Sequence, residues 1–327
     1  MALFEGSRLF LSCDITGSTA FKQKPDPDPA SPWQKVFLQF YREFPQEIYA
    51  QQTALEVTDL VFSLWKAVGD ELIFTCDVTS EIDIYRATQV WAAVLTEYKA
   101  KSLDDTGLGV KGGVFLATFP GPDSESSIPR LPVDERSGQD VVILNHETVS
   151  ARRAESKYLY DFFGPSIDTG FRVLSKCSER YMTLSLEVAY ALGSLHCTPG
   201  PDKGKYQSRN LLMLDNLELK GVWSGNPYPL FAIDLQSGSG VNTALRKFSS
   251  AQHDVDLIHD LCEACYTSDA WPFKMYLPNS KNGHFNKRPV DPLAAYMAQA
   301  RQAEEGAESV PSEPQGADQV SSDAPIS

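Results

Sequence analysis

Apolar residues recur along the first part of the chain with the spacings of strands and helices. The run from Arg8 to Asp14 is apolar and predicts a buried strand. Ser31-Pro32 is typical of a helix start, and the apolar positions from Trp33 to Phe44 follow the three-and-four spacing of an amphipathic helix. We expect Pro45 to interrupt or bend this helix, because proline cannot donate the backbone hydrogen bond of a helix interior.

The next segments predict a hairpin and a second helix. Leu60 to Ala67 and Leu72 to Cys76 are strand-like runs, and Val68-Gly69-Asp70-Glu71 between them is typical of a hairpin turn. The apolar face of the following helix consists of Ile84, Ala87, Trp91, Val94, Leu95 and Tyr98.

Later segments continue the alternation. Val110 to Phe119 predicts a strand, Leu174 to Leu192 carries both strand and helix signals, and Leu211 to Leu235 predicts two closing strands. The order of strand, helix, hairpin, helix and strand indicates an α/β or α+β fold, with helices packed on a central sheet.

Three polar segments interrupt this pattern. Residues 302–327 contain almost no large apolar side chain and are expected to be disordered, because they cannot offset the entropy of ordering. Pro120 to Gly138 contains four prolines and predicts a long surface loop, and Thr198 to Ser208 predicts a loop or hairpin tip.

Length and charge narrow the classes of function. The chain has 327 residues, which corresponds to about two domains. Its net charge of −14 argues against non-specific binding to nucleic acid or to an anionic membrane surface. No apolar run has the roughly 18–20 residues of a membrane-spanning helix, and Met1 to Gly6 lacks the features of a signal peptide. We therefore expect a cytoplasmic protein, and the six scattered cysteines do not indicate a disulfide framework.

The first candidate site lies at the end of the first predicted strand. Asp14 and Ile15 are followed there by a small, hydroxyl-rich turn, Thr16-Gly17-Ser18-Thr19. A carboxylate in this position can hold a hard metal ion, and the amides of the turn can point at phosphate oxygens. A carboxylate that only caps the turn is the alternative.

Five further charged residues are candidates for a functional site. Asp70 lies at the predicted hairpin tip, where Gly-Asp is also common for conformational reasons. Lys66 interrupts an apolar strand, so its ammonium group must leave the core or meet an acceptor. Asp161 precedes two aromatic residues and a Gly-Pro turn and has no evident core role. Asp168 and Arg172 would share one face of a helix, where a surface ion pair is the alternative.

Together these segments resemble the catalytic domain of class III nucleotide cyclases. Asp14 to Thr19 is similar to the family's Asp-Ile-x-Gly-[Phe/Ser]-Thr turn, and Lys66 to Asp70 to its Lys-x-x-Gly-Asp hairpin. Asp161 to Arg172 resembles its Asp-x-x-Gly turn with a downstream arginine, and Leu219 to Val222 its closing Lys-Gly-Val segment. The resemblance covers roughly residues 7–236. It implies an α+β sandwich with a ferredoxin-like central sheet and flanking helices.

The resemblance also implies a reaction, the attack of a ribose 3′-hydroxyl on the α-phosphate of a nucleoside triphosphate with release of pyrophosphate. Asp14, Asp70 and the Ile15 carbonyl would hold two divalent ions, Mn²⁺ or Mg²⁺. Lys66 and Asp161 would read the base edge. An arginine of the family that stabilises charge at the α-phosphate corresponds to Arg172. In the family, two head-to-tail subunits of a homodimer share each site: one chain supplies the metal carboxylates, and the other supplies the base-reading pair and the arginine.

Two departures from the family pattern affect this interpretation. Asp168 stands where most members carry an asparagine that orients the ribose, and its negative charge opposes triphosphate binding unless it is neutralised. Pro120 to Lys157 is longer than the usual connection. A catalytically silent nucleotide-binding domain is therefore an alternative. A polymerase-like palm domain is another, although its template channel would need lysines and arginines.

The base remains open at this point, because a lysine donor and an aspartate acceptor match the edges of adenine, uracil and guanine. Cytosine would need the two groups exchanged. The stand-alone domain with Asp168 and a long connection is similar to the pyrimidine cyclases of bacterial antiphage (Pycsar) defence. That similarity favours UTP as substrate and cyclic UMP as the messenger for a separate effector protein. Cytidylate, adenylate or guanylate cyclase activity is the alternative.

Residues 237–300 follow the cyclase-like part and are expected to pack on it, ahead of a tail at 301–327. Four potential zinc ligands occur there: His253, His259, Cys262 and Cys265. Apolar residues interleave with them at helical spacing, so burial of the cysteines in a core is the alternative. We expect Trp271 to Tyr276 to pack on the catalytic part.

Overall fold

The computed structural model describes residues 4–23, 32–131, 138–151, 156–198, 205–208, 210–248 and 252–308. Four earlier predictions fall wholly or partly outside these ranges. They concern Ser31 at the start of the first long helix, residues 132–137 of the loop at 120–138, most of the loop at 198–208, and residues 309–327 of the tail.

The described elements alternate along the chain. The strands are β1 (Gly6–Thr16), β2 (Ser63–Val68), β3 (Glu71–Val78), β4 (Gly109–Phe119), β5 (Ser124–Pro129), β6 (Tyr158–Phe163), β7 (Tyr181–Leu184), β8 (Leu211–Leu217) and β9 (Tyr228–Asp234). The helices are α1 (Ser18–Lys22), α2 (Trp33–Ala54), α3 (Glu81–Tyr98), α4 (Val141–Ala151), α5 (Pro165–Leu174), α6 (Leu186–Cys197), α7 (Gly240–Arg246), α8 (Val255–Thr267) and α9 (Ala294–Glu308). No helix within the described ranges is both long enough and apolar enough to span a membrane.

Seven strands form the central sheet, in the order β2-β3-β1-β4-β7-β9-β8. Its pairs are antiparallel except for β4 and β7, which are parallel. The elements from β1 to β4 form a β-α-β-β-α-β unit with strand order β4-β1-β3-β2, which is the ferredoxin-like arrangement. The predicted α+β class with a ferredoxin-like central sheet and flanking helices is therefore confirmed. β5 and β6 form a separate two-stranded sheet.

Three local predictions are wrong. Helix α2 is not interrupted at Pro45, because Phe44 and Ile48 on either side of it are buried in the core and hold the helix in place. A bend of the helix at Pro45 stays a prediction. The loop predicted for residues 120–138 contains β5, which pairs with β6 from Ser124 to Pro129. The first residues of the tail that was expected to be disordered belong to α9.

The second predicted helix shows how local sequence sets an element. Ser80 caps α3, since its side chain accepts a hydrogen bond from Asp83 N and the Asp83 carboxylate accepts one from Ser80 N. All six apolar positions predicted for its inner face are buried. The capping box starts the helix, and burial of this face holds it against the sheet.

Alternation along β1 separates two cores. Leu9, Leu11 and Cys13 lie in the larger core, together with apolar residues of α2, α3 and α6. Phe10 lies on the opposite face in a smaller core with residues of β4 and α5, and its ring stacks on Phe115 with a centroid distance of 4.8 Å. Ser12 and Asp14 alternate with the residues of the larger core and therefore share the face of Phe10.

The C-terminal region packs against the central sheet. Trp271 is buried among Trp223 and Tyr228, as expected for the segment from Trp271 to Tyr276. The Tyr276 main-chain N–H donates to Ser7 Oγ on β1 at 2.8 Å. The division of the chain at residue 236 remains a prediction.

Candidate active site

Three charged side chains meet where β1, β3 and β4 lie side by side. Asp14 is the cross-strand neighbour of Glu71 on β3 and of Lys111 on β4. Asp70 belongs to the turn between β2 and β3, and its carbonyl oxygen accepts a hydrogen bond from Ile15 N at 3.4 Å. The fold thus brings Asp14 and Asp70, the two predicted metal carboxylates, to one corner of the sheet.

Each of these two aspartates lies opposite a lysine. Lys111 Nζ is 3.3 Å from Asp14 Oδ2, and Lys22 Nζ is 3.6 Å from Asp70 Oδ1. Glu71 Oε1 accepts a 2.5 Å hydrogen bond from Ser12 Oγ. The corner therefore holds three carboxylates and two ammonium groups, all partly open to solvent.

Burial makes this corner costly for negative charge. It raises the pKa of Asp14 above its usual value, and although Lys111 opposes this shift, the charge of Asp70 adds to it. Burial likewise raises the pKa of Glu71, with a further contribution from Asp14. A cation bound between these carboxylates would relieve both effects.

The donor set can be compared with what a divalent ion requires. Within the described ranges, no three His, Cys, Asp or Glu side chains converge into a complete metal-binding group. Asp14 and Asp70 supply two carboxylates at one corner, and the Ile15 carbonyl as a ligand remains a prediction. Mg²⁺ in phosphate-transfer sites commonly takes one or two carboxylates and completes its shell with substrate phosphates and water. The residues present fit such an ion, which the substrate would help to hold.

Lys66 and Asp161, 95 positions apart, form an ion pair. Lys66 Nζ donates to Asp161 Oδ1 at 2.8 Å, and the same oxygen accepts a hydrogen bond from Phe162 N at 2.9 Å. The ammonium group also lies 3.9 Å from the Trp65 ring centroid. Both charged side chains keep about a quarter to a third of their surface exposed, 30% and 26%, so a ligand can reach them.

Helix α5 presents the predicted catalytic pair to solvent. Asp168 is exposed and Arg172 is half-buried, one turn apart on the same face, as the spacing predicted. Arg172 Nη1 donates to the main-chain oxygen of Asp168 at 2.8 Å. In the described part of the chain, Asp14 and Asp70 are paired with lysines and not with Arg172.

Side-chain hydrogen bonds to Glu179 fix the end of β1, just before the turn. Thr16 Oγ1 donates to Glu179 Oε1 at 2.6 Å, and Lys99 Nζ donates to the other oxygen of this carboxylate at 2.5 Å. Gly17 has φ 79°, a left-handed conformation that suits glycine, and it precedes the short helix α1. Ser18 is buried, whereas Thr19 is exposed. The hydroxyl of Thr16 is thus used to fix the turn.

No protein-family model matches the chain, and no curated protein matches it. Solved structures similar in outline include the adenylyl cyclase CyaB from P. aeruginosa, at 11% identity and TM-score 0.45, covering 71% of this chain and 96% of that chain. Another is the guanylate cyclase domain of RhGC from Catenaria anguillulae in complex with GTP, at 12% identity and TM-score 0.45. That similarity covers 70% of this chain and 97% of that chain. A third is the guanylyl cyclase Cya2, at 12% identity and TM-score 0.44, covering 71% of this chain and 94% of that chain. With identities and TM-scores this low, these similarities do not assign an activity to the chain.

The four potential zinc ligands of the C-terminal region do not form a metal site in the described part of the chain. Cys262 and Cys265 are buried on the inner face of α8, and burial raises the pKa of both thiols. His259 packs its ring against Tyr190 at a centroid distance of 5.4 Å, and His253 precedes the helix. Among the described residues these four do not converge, and the cysteines are core residues.

Several charged residues of the site were missed by sequence reasoning. Lys111 and Glu71 are revealed by strand register, because both lie directly opposite Asp14. Glu71 also follows Asp70 in the sequence, which is a signal that could have found it. Lys22 and Glu179 carry no comparable signal, since their partners lie in other elements.

Proposed function

We propose that the protein is a metal-dependent nucleotide cyclase that converts UTP into 3′,5′-cyclic UMP and pyrophosphate. The observation that carries this proposal is the meeting of Asp14 and Asp70, from separate elements, at one partly open corner. The pair of Lys66 and Asp161 supports it, because a donor and an acceptor lie side by side there and both stay accessible to a ligand.

The acidic corner would bind the metal and the triphosphate. Divalent ions held by Asp14, Asp70 and the Ile15 carbonyl would favour ionisation of the ribose 3′-hydroxyl and neutralise phosphate charge. The turn from Thr16 to Thr19, with Gly17 and Ser18 between them, would face the phosphates. Lys111 and Lys22 balance the two aspartates beforehand, so substrate binding exchanges one set of ion pairs for another.

Arg172 and Asp168 would act at the reacting centre. The guanidinium of Arg172 would donate hydrogen bonds to the α-phosphate oxygens, where negative charge accumulates as the new bond forms. Asp168 would orient the ribose, and its carboxylate lies one turn from the positive charge of Arg172. These roles are part of the proposal.

The pair of Lys66 and Asp161 would select the base. The Lys66 ammonium would donate to O4 of uracil, and the Asp161 carboxylate would accept from N3–H. Adenine and guanine also offer an acceptor beside a donor, so the choice of UTP rests on the similarity to the antiphage pyrimidine cyclases. Cytidylate, adenylate or guanylate cyclase activity would leave the roles of Asp14, Asp70 and Arg172 unchanged.

A homodimer with shared sites forms part of the proposal. The edge strand β2 exposes Leu64 and Val68, with 55% and 56% of their surface open, and Phe163 on β6 is 54% exposed. An unpaired apolar edge favours association with another chain. Since Arg172 is not paired with Asp14 or Asp70 in the described part of the chain, a second copy could supply it.

Complementation between variants tests the shared site. Asp14→Asn and Arg172→Ala should each lower product formation to a small residual rate. Mixed after dissociation and reassembly, they should recover about a quarter of wild-type activity, because half of the dimers are mixed and each keeps one of two sites. No recovery, with mixed dimers shown by mass, would place each site within a single chain.

A product assay tests the reaction and the base. The purified protein is incubated with Mn²⁺ and ATP, GTP, CTP or UTP separately, and the products are identified by mass. We expect a cyclic monophosphate from UTP, lost in Asp14→Asn and Asp70→Asn but kept in Asp77→Asn, whose carboxylate is exposed beside Arg8. Product from ATP or GTP alone would refute the pyrimidine assignment. No product from any triphosphate, with Asp168→Asn also inactive, would favour the silent domain.

The role in antiphage defence extends this proposal to the cell. Cyclic UMP would activate a separate effector protein that kills or arrests the infected cell. Cells carrying both proteins should resist phage, and Asp70→Asn should remove the resistance. Resistance that survives Asp70→Asn would separate defence from catalysis.

A further inference from the structure

Helix α5, which carries Asp168 and Arg172, begins without a capping side chain of its own. Its N-cap is Gly164 and its first residue is Pro165. The amides of the first turn of a helix have no partner within the helix and need acceptors from elsewhere. Here the acceptor comes from Asp123, in the connection between β4 and β5, whose Oδ1 accepts a hydrogen bond from Ser166 N at 2.9 Å.

The other oxygen of this carboxylate binds the sheet. Asp123 Oδ2 accepts a hydrogen bond from Thr118 N at 3.2 Å, near the end of β4, and Asp123 N donates to the Thr118 carbonyl at 3.1 Å. Asp123 is completely buried. One buried carboxylate therefore joins the end of β4 to the start of α5. A negative charge at this end of a helix is also favoured by the helix dipole.

The hydrogen bond between Asp123 and the start of α5 requires a glycine at position 164. Gly164 has φ 143°, and a Cβ added there would lie 2.4 Å from Asp123 Oδ1 and 2.8 Å from its Cα. Any other residue at position 164 would push the carboxylate away from the helix start. The glycine thus permits the approach that the cap requires.

The same helix start lies close in sequence to three proposed site residues. Asp161 precedes Gly164 by three residues, and Asp168 and Arg172 follow within two turns. We propose that Asp123 is a positioning residue, which fixes α5 on β4 and thereby sets where Arg172 faces the substrate. This inference rests on the proposed cyclase function for its catalytic consequence.

The kinetic test compares two capping aspartates. Asp254 caps α8 as the helix's own N-cap residue, with Oδ1 accepting from Asp256 N at 3.0 Å and from Leu257 N at 3.3 Å, and α8 carries none of the proposed site residues. In Asp123→Ala we expect kcat to fall about 100-fold, the usual effect of misplacing a catalytic group by about 1 Å, with KM little changed. Asp254→Ala should keep the wild-type kcat.

A double-mutant cycle distinguishes positioning from general loss of structure. If Asp123 acts through Arg172, then Asp123→Ala should lower kcat by less than about threefold in an Arg172→Ala background. Two effects that multiply in full would overturn the proposal. Where Asp123→Ala does not fold, Asp123→Asn, which keeps the shape and one acceptor oxygen, should show the same pattern with a smaller loss.

Hydrogen exchange provides a readout that does not depend on activity. In Asp123→Ala the amides of Ser166 and Ile167 should exchange at least about tenfold faster than in the wild type, while those of β1 and of α8 keep their wild-type rates. Unchanged exchange at α5 would refute the anchoring role. If the wild type forms no cyclic nucleotide, the proposed function fails, and exchange at α5 still decides whether Asp123 anchors the helix.

Discussion

The buried carboxylate of Glu187 predicts an unusual dependence of stability on pH. Glu187 lies in the first turn of α6 with 3% of its surface exposed, and its Oε1 accepts a hydrogen bond from Trp271 Nε1 at 3.1 Å. Burial raises its pKa from 4.5 to about 7, with a further contribution from the charge of Asp123; hydrogen bonds from its own main-chain amide and from Trp271 act in the opposite direction. The carboxyl group is therefore neutral in the folded protein at pH values where it is ionised in the unfolded chain.

The sign of the effect follows from proton binding. Between pH 4.5 and about pH 7 the folded state holds a proton at Glu187 that the unfolded state has lost, so stability falls as pH rises through this window. The difference between the two pKa values corresponds to about 3 kcal/mol of unfolding free energy at pH 8. For a chain of this size, that is a change in Tm of about 5 °C.

Glu187→Gln isolates this contribution. The amide keeps an acceptor oxygen for Trp271 but cannot ionise, so the variant should be more stable than wild type at pH 8, by up to about 3 kcal/mol, and should lose that advantage at pH 5. Denaturant unfolding followed by tryptophan fluorescence at several pH values measures both. Glu97→Gln, a change at an exposed side chain, serves as the control.

Parallel curves for wild type and Glu187→Gln from pH 5 to pH 8 would refute the reasoning. Asp123 contributes in the same direction, since burial raises its pKa to about 6. Asp123 is present in both proteins, so the difference between them reports on Glu187 and on its charge interaction with Asp123.

Three further perturbations test other parts of the structure. Asp14→Asn should weaken Mn²⁺ binding at least about tenfold in the presence of a non-hydrolysable triphosphate, measured by electron paramagnetic resonance, because it removes one of two carboxylates; unchanged binding would exclude Asp14 as a ligand. Asp234→Asn should destabilise the protein by about 3 kcal/mol in urea unfolding, since the buried carboxylate pairs with both Arg180 and Arg246; a loss under about 1 kcal/mol would contradict this. Gly170→Ala should lower the free energy of unfolding by about 2 kcal/mol, because its Cβ would lie 2.3 Å from the Phe115 ring. Gly138→Ala, with open space around it, should have little effect on stability. Equal effects of the two substitutions would contradict the packing argument.

Much of the fold could be predicted from local pattern. β1, the β2–β3 hairpin and α3 have clear apolar periodicity and clear start or turn residues, and each forms close to its predicted position. β5 was missed because its residues are polar and flanked by prolines, and its strand conformation depends on pairing with β6. Pro45 was expected to disturb α2, but burial of the neighbouring aromatic residues outweighs its local preference.

The candidate site was predictable only in part, for a similar reason. Asp14 and Asp70 lie beside strong local signals, a strand end and a hairpin turn, but their metal-binding roles were inferred only through a family resemblance and stay predictions. Lys66 and Asp161 were paired through a family resemblance, since no local pattern relates residues in different sheets. Asp123 was not singled out at all, because its two partners, Thr118 and Ser166, are brought to it by the topology.

The contact between the C-terminal region and β1 affects when β1 completes its folding during synthesis. Ser7, at the start of the strand that carries Asp14, binds the main chain at Tyr276, across 269 positions of sequence. Contacts of such high sequence separation form late and slow folding. On the ribosome, β1 emerges first but acquires this neighbour after most of the polypeptide has been synthesised. The acidic corner should therefore reach its final rigidity near the end of translation, so that a truncated nascent chain would hold Asp14 in an unfinished strand.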